Sequence, residues 1–264
     1  MQMNRIDRIQ YVEVEFPGGA FSVQGFTTRH EGVSRPPYNS LNLGMNTLDQ
    51  QANVEGNRSL LARAFGVNQE SLVVPKQVHG SDIIVISEPN EDFSHFLTVE
   101  GDAIITNQPN VIIGVCVADC APVLLCDPDK KVVAVVHAGW KGTAAGLVAK
   151  AVAAMQSEFG SNPAQLQAAI GPCIQKCCYE VDEPVRLAFR GTISWDACAE
   201  LKSPGKWQLD LGVANTELLQ EAGVPLESIQ RSELCVCCRS EQFFSYRRDK
   251  EESGRQMGFI MLKP

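Results

Sequence analysis

An α/β fold with mixed β-sheets flanked by helices is what this sequence predicts, and three observations predict it. Apolar, β-branched runs of strand length recur along the chain, as at Val111–Val117, Val123–Cys126 and Val132–His137. Longer stretches with helical spacing stand between some of them, as at Asn53–Phe65 and the alanine-rich run carrying Leu147, Val148, Val152 and Met155. Some neighbouring strands are joined by tight turns and others by helices, which makes a purely parallel sheet unworkable. No internal repeat or composition break marks a boundary, so residues 1–264 read as a single domain.

Taken in order, Tyr11–Gln24 alternates apolar and polar residues around Pro17-Gly18-Gly19 and predicts a hairpin. Residues 25–46 are rich in Gly, Pro, Ser and Asn, a long loop of the kind that carries function. A helix over Asn53–Phe65 ends at Gly66, and Ser71–Pro75 leads through a His79-Gly80 turn to a strand at Ile83–Ile86. A polar connection containing an exposed His95 leads to a strand at 101–106. Three strands follow, the last two joined by Asp127-Pro128-Asp129-Lys130-Lys131, where proline presets φ and aspartate supplies local hydrogen bonds. Further on come a helix from Thr143, a strand at Leu166–Ile170, and a helix at Glu183–Phe189 opened by Pro184. Residues 191–206 read as irregular, Leu209–Ala222 as an amphipathic helix, and 243–248 (FFSYRR) and 257–262 (MGFIML) as strands.

Composition narrows the function. With 44% hydrophobic and 20% charged residues the chain can bury a sizeable core. A formal net charge of −8 argues against nucleic acid as a partner. No apolar run approaches a membrane span, and the first sixteen residues lack the apolar core of a signal peptide, so no membrane partner and a cytoplasmic location are expected. Ten cysteines in a cytosolic chain are not a disulfide framework. Six of them cluster, as Cys173, Cys177 and Cys178 and as Cys235, Cys237 and Cys238. A four-cysteine zinc site is one reading of these, but the paired C-x-x-C spacing of a zinc ribbon is missing and the reading is set aside.

The reactive residues concentrate elsewhere. If Cys126 faces Val132 across the turn, the constant index sum of an antiparallel pair puts residue 120 opposite residue 138, give or take one. Cys120 and His137 are then neighbours. Pro122 demands a bulge or an edge position close by. Of four histidines, His79 and His137 both adjoin strand-end turns. Two imidazoles, one thiolate and an open position form a catalytic zinc pattern; without metal, Cys120 and His137 form a nucleophile–base pair. After His137, small residues precede a helix start, which suits an anion. Arg29, Lys76, Lys141, Arg247, Arg248 and Arg255 are the candidate anion partners.

Together, FTTRHEGVS with SLNLG, KQVHGSD, GDAIIT, ADCAPVLL, VVHAGWKGT, AIGPCI with CYEV, and FFSYRRD with SGRQ resemble the laccase-domain, YfiH-like family of purine nucleoside phosphorylases, formerly called polyphenol oxidases. The resemblance implies an α/β (α+β) layered sandwich related to toxin-deamidase cysteine hydrolases. It implies Zn2+ at His79, Cys120 and His137, with purine nucleosides and phosphate as partners. The implied reactions are phosphorolysis of adenosine, inosine, guanosine and methylthioadenosine, and deamination of adenosine. Arg29, Arg247 and Arg255 are then expected to contact phosphate or ribose, and Asn42, Gln77 and Asp119 the polar groups of the substrate. Copper fits poorly, because a multicopper centre needs many imidazoles and this chain has four histidines. A metal-free Cys/His hydrolase and a non-enzymatic regulatory protein with a structural metal are the alternatives. Glu31 and Pro36 stand where the family usually has glycine, and acidic residues are added after Asp249; these departures bear on substrate preference more than on the metal site.

Overall fold

In a computed structural model, which describes residues 1–18, 20–88 and 93–264, the apolar runs become strands of two large sheets. In chain order the strands are β1 (Gln2–Ile6), β2 (Ile9–Glu13), β3 (Ser22–Thr27), β4 (Leu72–Val73), β5 (Ile83–Ile86), β6 (Ala103–Thr106), β7 (Ile112–Val117), β8 (Ala121–Asp127), β9 (Val132–Ala138), β10 (Gln167–Ile170), β11 (Glu180–Asp182), β12 (Ala199–Ser203), β13 (Lys206–Leu209), β14 (Ile229–Arg231) and β15 (Gln256–Leu262). The helices are α1 (Gln51–Ala64), α2 (Trp140–Ala144), α3 (Leu147–Phe159), α4 (Glu183–Ala188), α5 (Trp195–Cys198), α6 (Leu211–Glu221) and α7 (Tyr246–Asp249).

One sheet runs β1-β2-β3-β15-β7-β4 and the other β14-β10-β8-β9-β6-β5, with a small third sheet β11-β13-β12. Both large sheets are mixed: β4 lies parallel to β7, β5 to β6 and β14 to β10, while the other pairs are antiparallel. The layers follow from which side chains each strand sends to each face. In β7 and β15, Ile112, Met257 and Phe259 share a core with Leu61 of α1 and Phe65 just after it, whereas Ile113, Val115 and Ile260 enter the core shared with the second sheet. Strands covered on both faces read as continuous apolar runs, which is how these two appear in the sequence. Leu147, Val148, Ala151, Val152 and Met155 of α3 are buried on the far side of the second sheet, with α6 beside them. The sheets approach closely at Gly258, where a Cβ would lie 2.6 Å from Pro122 Cβ.

Several expectations change. Cys126 pairs with Val133 rather than Val132, so the index sum is one higher and Pro122 faces His137. The β8–β9 ladder runs without a shift from Ala121 to Asp127, and Pro122 sits near the strand's start, needing neither bulge nor edge. The hairpin exists as β2 with β3, although Gly19 lies outside the described residues; β1 adds a strand that the sequence did not suggest. Residues 191–206 hold α5 and β12 and reach β13, which short exposed runs conceal. The expected strand over 243–248 is instead a loop and α7, because Ser245 Oγ accepts from the Arg248 amide and caps a helical turn. His95 lies on an exposed short 3-10 turn at Phe93–Leu97; part of the polar connection before it is outside the described residues.

Candidate metal centre and active site

The ladder that pairs β8 with β9 delivers Cys120 and His137 to the same sheet end. Cys120 is the residue before β8, opposite Gly139 by the index sum, and its sulfur occupies the space that a Gly139 side chain would need. Strand β6 lies on the other side of β9 and brings Asp102 against His137: the His137 amide donates to Asp102 O at 2.7 Å, and His137 Nδ1 lies 2.7 Å from Asp102 Oδ1. An ionised carboxylate only accepts, so Nδ1 carries the proton and Nε2 is left to face Cys120.

The same carboxylate builds the third corner. Backbone amides of Val78, His79 and Gly80 converge on Asp102 at 3.2, 3.1 and 2.7 Å. This holds His79 at φ 57°, a conformation costing a non-glycine residue about 1–3 kcal/mol. His79 and His137 rings sit edge to face, centroids 4.8 Å apart. Ligand atoms of His79, Cys120 and His137 all fall within 4.8 Å of one another. Burial works to raise the Cys120 thiol and to lower the His137 imidazole. The charge and hydrogen bond that these two exchange outweigh it, aided by His79 and Asp102 respectively. The thiol comes down to about 6 and the imidazole goes up to about 9.

These donors open onto a cavity of about 460 Å3, within the range of small-molecule sites. Its other walls include Asn46, Gln77, Asp119, Ile174, Tyr179, Tyr246, Arg247, Lys250 and Arg255. Arg247 Nη1 donates to Glu180 O at 3.0 Å and its guanidinium lies 5.1 Å from the Tyr179 ring centroid. Arg255 Nη1 donates to Ser253 O and Gly254 O. Asp119, at φ 97° in the β7–β8 turn, accepts from Ser245 Oγ and the Arg247 amide, both at 2.6 Å. Burial raises its carboxyl above the ordinary range despite these donors. Gln77 pairs its amide with both backbone groups of Cys116, at 2.9 and 2.7 Å.

Five of the six residues expected to bind substrate thus divide by geometry. Arg247 and Arg255 present cations to the cavity, Gln77 and Asp119 line it with polar groups already engaged, and Asn42 lies behind it. Asn42 is fully buried, accepting from the Gly44 and Arg255 amides. Arg29 is not brought to the cavity: it donates to Asn39 O and Ser240 O, stacks over Phe244 and borders a separate surface depression. Lys76 pairs with Glu100 and Lys141 lies over Trp140, so neither candidate reaches the cavity walls. Sequence reasoning missed Tyr179, Tyr246 and Lys250, and gave Asp102 no role. The signs of Asp102 were its place at the head of an apolar strand and its presence in the GDAIIT motif.

The family described as multi-copper polyphenol oxidoreductase laccase matches residues 23–263. The chain belongs to this family. Purine nucleoside phosphorylase YlmD of Bacillus subtilis is 37% identical over 91% of this chain and 88% of its own length. Adenosine deaminase RL5, from an unknown prokaryotic organism, is 36% identical over 97% of this chain and all of its own. The crystal structure of YlmD from Geobacillus stearothermophilus superposes with a TM-score of 0.91 at 35% identity, covering 99% of this chain and 98% of that one. The family's mixed α+β architecture is therefore this chain's own. Among the described residues no helix is long and apolar enough to cross a membrane.

Proposed function

We propose that this chain is a zinc-dependent purine nucleoside phosphorylase that also deaminates adenosine. Residues 1–264 work as one catalytic domain, with adenosine, inosine, guanosine and methylthioadenosine as substrates. The observation that carries the reading is the convergence of His79, Cys120 and His137 on a cavity whose facing walls hold Arg247 and Arg255. The relatives named as purine nucleoside phosphorylases and as an adenosine deaminase support it.

The donor set fits zinc. Three protein ligands with a fourth side open to a cavity are the catalytic pattern, and a carboxylate behind a ligating histidine is its usual outer partner. A multicopper centre would need the remaining imidazoles, but His30 borders a different depression and His95 sits on an exposed turn. A single blue-copper site adds a long axial methionine or glutamine to two histidines and a cysteine; no methionine lines the cavity among the described residues, and both ends of the Gln77 amide are engaged by Cys116. When bound, zinc would polarise a substrate oxygen or make water a nucleophile at neutral pH.

The chain's own residues supply the rest. Arg247 and Arg255 each fix Nη1 on backbone carbonyls, which sets the guanidinium plane and leaves the other donors to hold an anion. Both therefore hold phosphate or ribose oxygens. Tyr246, 41% exposed, offers its ring to a purine base at the mouth. Asp119 places the Arg247 backbone, Asn42 places Arg255, and Gln77 pins the segment before His79 to β7. A second reading rests on the order Cys120–His137–Asp102, which without metal is a thiol–imidazole–carboxylate series suited to hydrolysis.

Incubation of inosine with and without phosphate tests the proposal. The expected products are hypoxanthine and ribose 1-phosphate, formed only with phosphate and lost on chelation. Free ribose as the main product, or turnover that is indifferent to metal, would favour the hydrolase.

A further inference from the structure

Away from the cavity donors, the fold gathers four cysteines that the spacing of the sequence kept apart. Cys177 and Cys178 come from the turn before β11, Cys235 and Cys238 from the turn after β14. Cys177 Sγ lies 3.8 Å from Cys178 Sγ and 3.7 Å from Cys238 Sγ, and Cys178 Sγ lies 3.3 Å from Cys238 Sγ. With Cys235 included, all four sulfurs fall within 4.8 Å of one another. Four thiolates about 2.3 Å from a tetrahedral zinc stand about 3.8 Å apart, so small shifts of these sulfurs would seat an ion. A disulfide would need about 2.05 Å.

The backbone around Cys235 supports the same conclusion. The Gln175 amide donates to Cys235 Sγ at 3.5 Å. An amide turned onto the first sulfur of a C-x-x-C helps to hold a thiolate there. Cys173 bridges Cys235 in parallel register, and the Val236 amide donates to Cys173 O at 3.1 Å, so the two segments are apposed by backbone as well. Cys177 and Cys238 are exposed, Cys178 is half-buried and Cys235 buried, which gives an ion a way in.

We propose that Cys177, Cys178, Cys235 and Cys238 bind a second zinc ion in a closed tetrathiolate site that clips together the two segments walling the cavity. Ile174 and Tyr179 flank one cysteine pair, and Arg247 lies downstream of the other. Arg248 donates to Val236 O and Cys237 O, and Arg247 to Glu180 O, so both segments are tied to neighbouring arginines, one of which lines the cavity. Binding releases the thiol protons to solvent and changes no oxidation state. The ion has no open position for substrate, so its part is structural. It is independent of which reaction the cavity performs.

Zinc content of the reduced full chain and cadmium-thiolate absorption test this. The wild-type chain should hold about two zinc ions, as expected for one three-donor and one four-donor site. Cys177→Ser with Cys238→Ser should lose one and keep the other, with a lower melting temperature. Cys120→Ala should lose the other ion and still show, with cadmium alone, a charge-transfer band of four-thiolate intensity. This second variant leaves the cluster intact, so it decides the matter even if the double variant fails to fold. Unchanged zinc in the double variant, no thiolate band in Cys120→Ala, or a non-reduced mass showing these four cysteines paired as disulfides would each overturn the site.

Discussion

Replacing Gly139 by alanine should damage the metal centre without removing any of its donors. Gly139 precedes α2 at φ −72° and ψ 172°, which alanine adopts freely, so the backbone has no objection. The added methyl is the whole perturbation. Its carbon would lie 2.8 Å from Cys120 Sγ and 3.5 Å from His79 Cδ2. Ordinary carbon–sulfur contact is about 3.7 Å, so the sulfur must retreat by about 0.9 Å. Cys120 has a single side-chain torsion, and swinging it away takes the thiolate off His79 and His137. Alanine gains about 0.4–1 kcal/mol through the unfolded chain, while overpacking costs about 1–3 kcal/mol, leaving a net loss of about 0–2.6 kcal/mol. A displacement near 1 Å in a catalytic constellation costs about a hundredfold in rate. Zinc content, inosine phosphorolysis and the urea midpoint should be measured on one preparation. The expected result is a small stability loss with a large loss of rate and metal. Wild-type zinc and rate in this variant would show that the sulfur's position is not constrained, and the packing argument would fail.

Three further outcomes are expected. Asp102→Asn keeps the shape but turns an amide NH2 toward amide donors, so zinc affinity should fall about 10–100-fold by competition with a chelating dye. His137→Ala should lower adenosine deamination and inosine phosphorolysis together, by about a hundredfold or more, while His95→Ala leaves both intact; loss of one reaction alone would refute a shared site. Arg247→Ala should raise the phosphate KM more than the inosine KM in initial-rate measurements, and an equal rise in both would remove that arginine from the phosphate contacts.

The nearness of Cys120 to His137 was legible because a hairpin obeys simple arithmetic: once the turn at 127–131 is found, the register follows to within a residue. Asp102 was not, because nothing local says that β6 lies against β9 with Ala103 opposite Val136. Arg247 was found for its charge, but its segment was misread: FFSYRR has strand composition, and only Ser245 and Asp119 together make it a capped turn. Tyr179 stayed hidden at the edge of a three-stranded sheet whose strands are short and mostly exposed. The four gathered cysteines show the same limit, since their two pairs are apposed only by tertiary structure. Arg29 differs in place: its loop carries it away from the cavity, and it donates to Asn39 O and Ser240 O beside a separate depression, which no local pattern in the sequence discloses.

Strand β15 occupies the middle of the first sheet, between β3 and β7, so the two halves β1-β2-β3 and β7-β4 can join only once residues 256–262 are made. Pairing across such separations is slow, since loop closure precedes any gain from contact. Arg255 immediately precedes that strand and shares the cavity with Cys120 and His137. During synthesis the thiol and imidazoles are thus made well before Arg255. A nascent chain halted short of residue 255 would carry the three donors but lack both that part of the cavity wall and the central strand that follows it, so the cavity takes its full shape only at the closing step of folding.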